Sequence, residues 1–134
     1  MTYGKLDALD LFKESDSESP RSALMGANTL LGKKVNNTQD EYLGDIKEIM
    51  FDLRSGLIAY AVLANGGILN APEKLIAVPW NSLKFNAAAR HFILNIDKKR
   101  FDNAPRFESS NWPNMTDRVW IDTIQNHYYS HTYE

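Results

Sequence analysis

Apolar residues fall into short β-type runs from Leu24 to Ile96, separated by polar and glycine-containing turns. Leu30, Leu31 and Val35 predict a first strand with Gly32 inside it. Asn36 to Asp40 is a polar turn, since Asn and Asp tolerate left-handed backbone and bond their own chain. Tyr42 to Leu53 predicts a long strand on which Ile49, Phe51 and Leu53 share a face. Leu43 keeps that phase and Ile46 breaks it, the mark of a β-bulge eased by Gly44. Asp52 to Gly56 is a hairpin loop. Leu57 to Leu63 follows, apolar on both faces, so it requires cover on both sides. Gly66-Gly67 and the loop at Asn70 to Glu73 interrupt the pattern before Lys74 to Val78 resumes it. Pro79 ends ladder donation, and Trp80 is large enough to close one end of a small core. Leu83 and Phe85 precede a last strand with Phe92, Leu94 and Ile96 on one face.

Helical spacing appears only afterwards. Asp97 is a candidate N-cap for a short helix over Lys98 to Asn103, halted by Ala104-Pro105. Phe107 to Asn114 reads as irregular. Thr116 is the candidate cap of a final helix, with Asp117 at its first position and Met115 stapled to Trp120. Trp120, Ile124, His127, Tyr128 and His131 then recur on one helical face. Residues 1–23 differ: Leu6, Leu9, Leu11 and Phe12 are spaced for one apolar helical turn, and the charged, Ser-rich stretch 13–22 reads as a flexible linker. These elements predict an all-β fold, a small barrel of five to six strands with a short helix and a C-terminal amphipathic helix. Its boundaries are a leader over 1–23, a barrel domain over 24–107 and a helical extension over 108–134.

Composition narrows the functions. At 134 residues with 43% hydrophobic and 24% charged positions, the chain is one ordinary globular domain. Its net charge of −2 gives no global field for nucleic acid. The absence of cysteine excludes disulfides, thiol nucleophiles and cysteine-ligated metals. Acidic residues occupy the N-terminus where a signal peptide needs an apolar core, and no apolar run reaches membrane-helix length, so a cytoplasmic protein without membrane insertion is expected.

The chemical candidates are few. His127 and His131 have the i, i+4 spacing of a chelating pair but lack the HExxH form, and packing histidines are the preferred reading. His91 reads as a hydrogen-bonded edge histidine. Asp45, Glu48 and Asp52 read as solvated strand charges that protect an edge. Gly66-Gly67 lacks the residues of a phosphate loop. Lys98, Lys99, Arg100 and Arg106, interleaved with Phe101 and Phe107, have the composition of an RNA contact; a short solvated helix is the preferred reading. No catalytic residue, cofactor or metal is expected.

Leu43-Gly44-Asp45-Ile46, Ile49-Met50-Phe51-Asp52, Ser55-Gly56, Ala59-Tyr60-Ala61-Val62-Leu63, Gly66-Gly67 and Lys74-Leu75-Ile76-Ala77-Val78-Pro79-Trp80, in that order, resemble the PRC-barrel domain. That domain forms the cytoplasmic part of the photosynthetic reaction-centre H subunit and the C-terminal domain of the ribosome maturation factor. Trp112 to Asp117 and the helix after it resemble a tail seen on stand-alone bacterial members. The resemblance implies a non-catalytic stand-alone protein used for protein contacts and frequently dimeric. A homodimer with a further, unidentified protein partner is therefore expected, and an RNA- or ribosome-associated maturation-type factor is the alternative. The doubly apolar strand and the aromatic helix supply the candidate interface: Leu57, Ala59, Tyr60, Ala61, Trp80, Trp120, Ile124 and Tyr128.

Overall fold

The structure, a computed structural model, describes residues 24–65 and 73–129. The apolar turn at residues 6–12, the linker after it, the Gly66-Gly67 break, the loop up to Pro72 and His131 lie outside them. In chain order the elements are α1 (Ala27–Leu30), β1 (Lys34–Asn36), β2 (Tyr42–Asp52), β3 (Leu57–Ala64), β4 (Lys74–Pro79), a 3-10 turn (Trp80–Ser82), β5 (Leu83–Asn86), β6 (His91–Leu94), α2 (Lys98–Asp102), β7 (Phe107–Glu108) and α3 (Arg118–Tyr129).

All seven strands join one sheet in the order β5-β6-β1-β2-β3-β4-β7. The pairs are antiparallel except β1 with β6, which run parallel with Val35 opposite Phe92. The expected barrel is corrected in two respects. The edge strands β5 and β7 do not pair with one another, so the sheet stays open among the described residues. The strands also exceed five or six, because Phe107–Glu108 adds an edge strand opposite Leu75 and Lys74. Two residues are too few for an alternation, which is why that stretch reads as irregular in the sequence.

The N-terminal end of the sheet also differs. Leu30 belongs to a single helical turn, and the strand begins only at Lys34. Gly32, at φ +88°, reverses the chain between them, and its amide donates to the Ile46 carbonyl at 2.7 Å. One helical turn carries no periodicity, so Leu30-Leu31 passes for the start of a strand. The polar turn behaves as expected: Asp40 adopts φ +63°, and the Asn37 carboxamide oxygen accepts from the amides of Gln39 and Glu41.

The phase break in β2 is real and larger than one bulge. Against β3 the register slips between Ile46 and Glu48, leaving Lys47 extra on β2, and again between Met50 and Phe51, leaving Ala59 extra on β3. Against β1 it slips beside Leu43. Each extra residue bends and twists its strand. The inner residues Leu43, Ile46, Ala61, Leu63, Ile76 and Val78 thereby converge on one core with Phe92, Leu94, Ile96 and Phe101. Trp80 and Phe85 close the β5–β6 end, their ring centroids 5.5 and 5.1 Å from Phe92.

Helix α2 starts after Asp97 through the Phe101 amide and the Asp97 carbonyl, while the Asp97 carboxylate makes no capping bond. At α3 the expected cap moves by one residue. Asp117 is the cap, its Oδ2 accepting from the Trp120 amide at 3.1 Å, whereas Thr116 donates its amide and hydroxyl to Asn114 Oδ1. Both residues are good caps, and the Asn114 turn decides between them.

Gly44 is where the sheet is tightest. A Cβ there would stand 2.8 Å from the Ala64 carbonyl oxygen, a backbone atom held by the Asp45–Ala64 pairing. Gly44→Ala is expected to cost about 2 kcal/mol in urea unfolding. Gly56→Ala, which meets no atom within 4 Å and is strained only by its φ of +77°, is expected to cost about 1 kcal/mol. Equal unfolding midpoints for Gly44→Ala and the unsubstituted chain would refute the close approach.

Candidate functional site

Three apolar side chains at the outer end of the β2–β3 hairpin remain in solvent: Phe51 at 50%, Leu53 at 91% and Leu57 at 67% relative exposure. The hairpin runs past the core, which ends on this side with Ile49 and Tyr60. Its turn is well built. The Gly56 amide donates to the Asp52 carbonyl at 2.8 Å, and Asp52 Oδ1 accepts from the Arg54 amide at 3.0 Å. That amide, followed by the Ser55 hydroxyl, holds the Asp52 carboxyl below its usual range. The exposed leucine is thus presented by an ordered loop.

The opposite wall is the start of α3. Ile124 and Tyr128 are buried and anchor the helix on the sheet. The Trp120 and Tyr60 rings meet edge-on at 5.3 Å. Arg100 Nε donates to the His127 carbonyl at 3.0 Å, and His127 Nε2 donates to the Arg100 carbonyl at 2.9 Å, clasping α3 to α2. Between helix and hairpin lies a groove of about 510 Å³, lined by Met50, Phe51, Leu53, Ala59, Tyr60, Met115, Thr116 and Ile121, with Asp52 and Arg54 as its charged members. Its chemistry is that of contact: the one carboxylate in it is already engaged by its own turn.

A family model for the PRC-barrel domain matches residues 23–101, more than half of the chain. The chain belongs to the PRC-barrel domain family. No curated protein matches it. In this PRC-barrel protein the matched region ends within α2, so the groove combines a wall from the family domain with one from the helix that follows.

The candidate interface residues divide between interior and surface. Tyr60, Ala61, Ile124 and Tyr128 are buried within the chain, and Trp80 and Trp120 are half-buried against its core. Leu57 and Ala59 stay exposed. The doubly apolar strand is covered on both sides only from Tyr60 to Leu63; the cover includes the chain's own C-terminal helix. Sequence reasoning left Phe51, Leu53, Met115 and Ile121 out of the candidate interface, grouping Phe51 and Leu53 on one strand face with Ile49, which is buried. The available signal was a leucine at the tip of an otherwise polar turn, where nothing local needs one.

The other chemical candidates come apart. Asp45 and Asp52 are seven residues apart on β2, about 23 Å along an extended strand. Among the described residues no three His, Asp or Glu converge on a metal position. His91 opens β6, which lies between β5 and β1 and is not an edge strand, and its Nε2 is buried without a partner among the described residues. In the basic–aromatic stretch Phe101 is fully buried and unavailable for stacking. Lys98 pairs with Asp102 at 3.0 Å, and the Arg106 guanidinium lies over the Phe101 ring at 5.6 Å. No helix among the described residues is long and apolar enough to cross a membrane.

Asp52 provides a pH test of the loop. A carboxyl held below its ordinary 3.8 contributes order that is present above that value and lost as pH falls through the lower folded value. The Arg54 amide resonance is expected to titrate with a midpoint below 3.8, and Asp52→Ala is expected to abolish the transition. A midpoint at or above 3.8 would contradict the amide contact.

Proposed function

We propose that this protein is a non-catalytic assembly module that docks protein partners, including a second copy of itself, through the groove between the β2–β3 hairpin end and α3. The observation that carries this reading is the set of exposed Phe51, Leu53 and Leu57 beside an apolar cleft. Isolated apolar residues on a surface are ordinary, but three around one groove form a patch of the kind used in recognition. The family supports the same class of role, a protein-interaction module. In a two-fold pair, Leu53 of each copy enters the groove of the other. Fully burying such a side chain yields about 1.5–3 kcal/mol. Much of that gain is offset by lost rotational and translational freedom, which favours a weak pair that exchanges for other partners.

Analytical ultracentrifugation over a dilution series tests the reading. A shift from monomer to dimer is expected as concentration rises through the micromolar range. The double substitution Leu53→Glu/Leu57→Glu is expected to remove it while the circular dichroism spectrum and melting temperature stay unchanged, because neither side chain is part of the core. A monomer at every concentration, or a dimer indifferent to both charges, refutes self-association through this face.

A further inference from the structure

The tip of the β2–β3 hairpin carries opposite charges on either side of its most exposed apolar residue. Asp52, Leu53 and Arg54 are consecutive, and all three line the groove. Its other lining residues carry no charge. We propose that the groove selects a second copy of this chain by pairing Asp52 of each copy with Arg54 of the other. Two reciprocal ion pairs then flank the two Leu53 side chains. The inference rests on the groove being the docking surface proposed above. A two-fold contact is reciprocal: where one residue meets another, the second copy repeats the contact in reverse. Turns that cross antiparallel about such an axis set base against acid at both contacts. Turns that cross parallel set acid on acid and base on base, which like-charge repulsion disfavours. A foreign partner carrying one sign of charge leaves one of the two groove charges opposed. The sequence acid–apolar–base that satisfies both is the hairpin tip itself.

Both charges are available to a partner. No ion pair among the described residues includes Asp52 or Arg54. Asp52 Oδ1 accepts from the Arg54 amide at 3.0 Å. An ionised carboxylate offers about four acceptor positions, so the turn leaves room for a guanidinium. The same amide, and then the Ser55 hydroxyl, hold the carboxyl below its usual range, which keeps it charged at neutral pH. The Arg54 charge is the weakest of the influences that lower it, so the guanidinium is not committed to its own neighbour. Exposed ion pairs contribute little affinity. What they add is the choice of partner and of orientation, while Leu53 and its apolar neighbours supply most of the binding.

Charge reversal in the full chain tests the pairing, with ultracentrifugation over a dilution series as the readout. Arg54 is exposed, so Arg54→Glu leaves the fold intact, and symmetry makes this one substitution set acid against acid at both contacts. Arg54→Glu and Asp52→Lys are each expected to raise the concentration for half-dimerisation at least about tenfold. An equimolar mixture of the two is expected to bring it back close to the unsubstituted value. In the mixed pair the two altered residues meet each other, and the unaltered Arg54 meets the unaltered Asp52. Asp52→Lys also removes the oxygen that the Arg54 amide uses, so Asp52→Asn, which retains an acceptor oxygen there, adds a second measurement. Raising sodium chloride from about 0.05 to about 0.5 M is expected to weaken the unsubstituted dimer and to leave the Asp52→Asn dimer no weaker. A dimer indifferent to Arg54→Glu, reversed chains that stay apart when mixed, or salt sensitivity that survives Asp52→Asn would overturn the charge pairing. Each of those outcomes leaves self-association through the apolar residues standing. A chain that is monomeric at every concentration removes the self-association itself, and the pairing with it.

Discussion

The β2–β3 hairpin is longer than the core it crosses, and the surface of this protein is organised by that mismatch. β2 has eleven residues and β3 eight, while the inner layer is used up between Leu43 and Ile49 on one strand and between Tyr60 and Leu63 on the other. Everything beyond is a two-stranded ribbon. An isolated ribbon is marginal in water; this one is held by its turn, where Asp52, Ser55 and Gly56 bond across the loop. The bulges at Lys47 and Ala59 set how the ribbon leaves the sheet. Phe51 and Leu57 therefore project as a consequence of strand length and register, and Leu53 is carried by the turn between the two strands.

The C-terminal helix turns that projection into a groove. Without it, Tyr60 would lose its ring contact with Trp120; with Trp120, Ile124 and Tyr128 seated, Tyr60 is covered while Phe51, Leu53 and Leu57 at the hairpin end stay exposed. The helix is held by burial more than by polar contacts. The Tyr128 hydroxyl is buried without a hydrogen-bond partner among the described residues, and burial pushes its pKa well above the usual phenol range. An unpaired buried hydroxyl costs free energy, which the ring's packing offsets. The reciprocal Arg100–His127 bonds add direction, tying the last turns of α3 to α2. Arg118 and Asp122 at the other end form only an exposed pair, of little energetic weight.

Much of the sheet was legible in the sequence because it follows alternation and turn chemistry. The hairpin at Asp52 to Gly56, the Pro79 strand end, the Phe92-Leu94-Ile96 face and the Ile46 phase break all rest on local rules. What escaped is whatever is too short to show a period: α1, β7 and the choice between Thr116 and Asp117 as cap. Closure of the barrel also escaped, since whether β5 meets β7 depends on accumulated twist and on no single residue. The groove was half legible. The apolar excess at Leu57 and Ala59 is visible as sequence, but alternation groups the exposed Phe51 with the buried Ile49. Where the core stops is a property of three dimensions.

The same geometry explains why the buried members of the apolar strand and helix are poor tools for probing a partner. Replacing Tyr60 or Ile124 opens a cavity in the core and loosens the helix that forms one wall of the groove, so lost binding would report lost structure. Leu53 and Leu57 touch too little of the fold for that ambiguity. A surface that presents apolar side chains from a rigid ribbon, outside the cooperative core, can change its contacts without changing stability. Substitutions there therefore report contact without reporting stability.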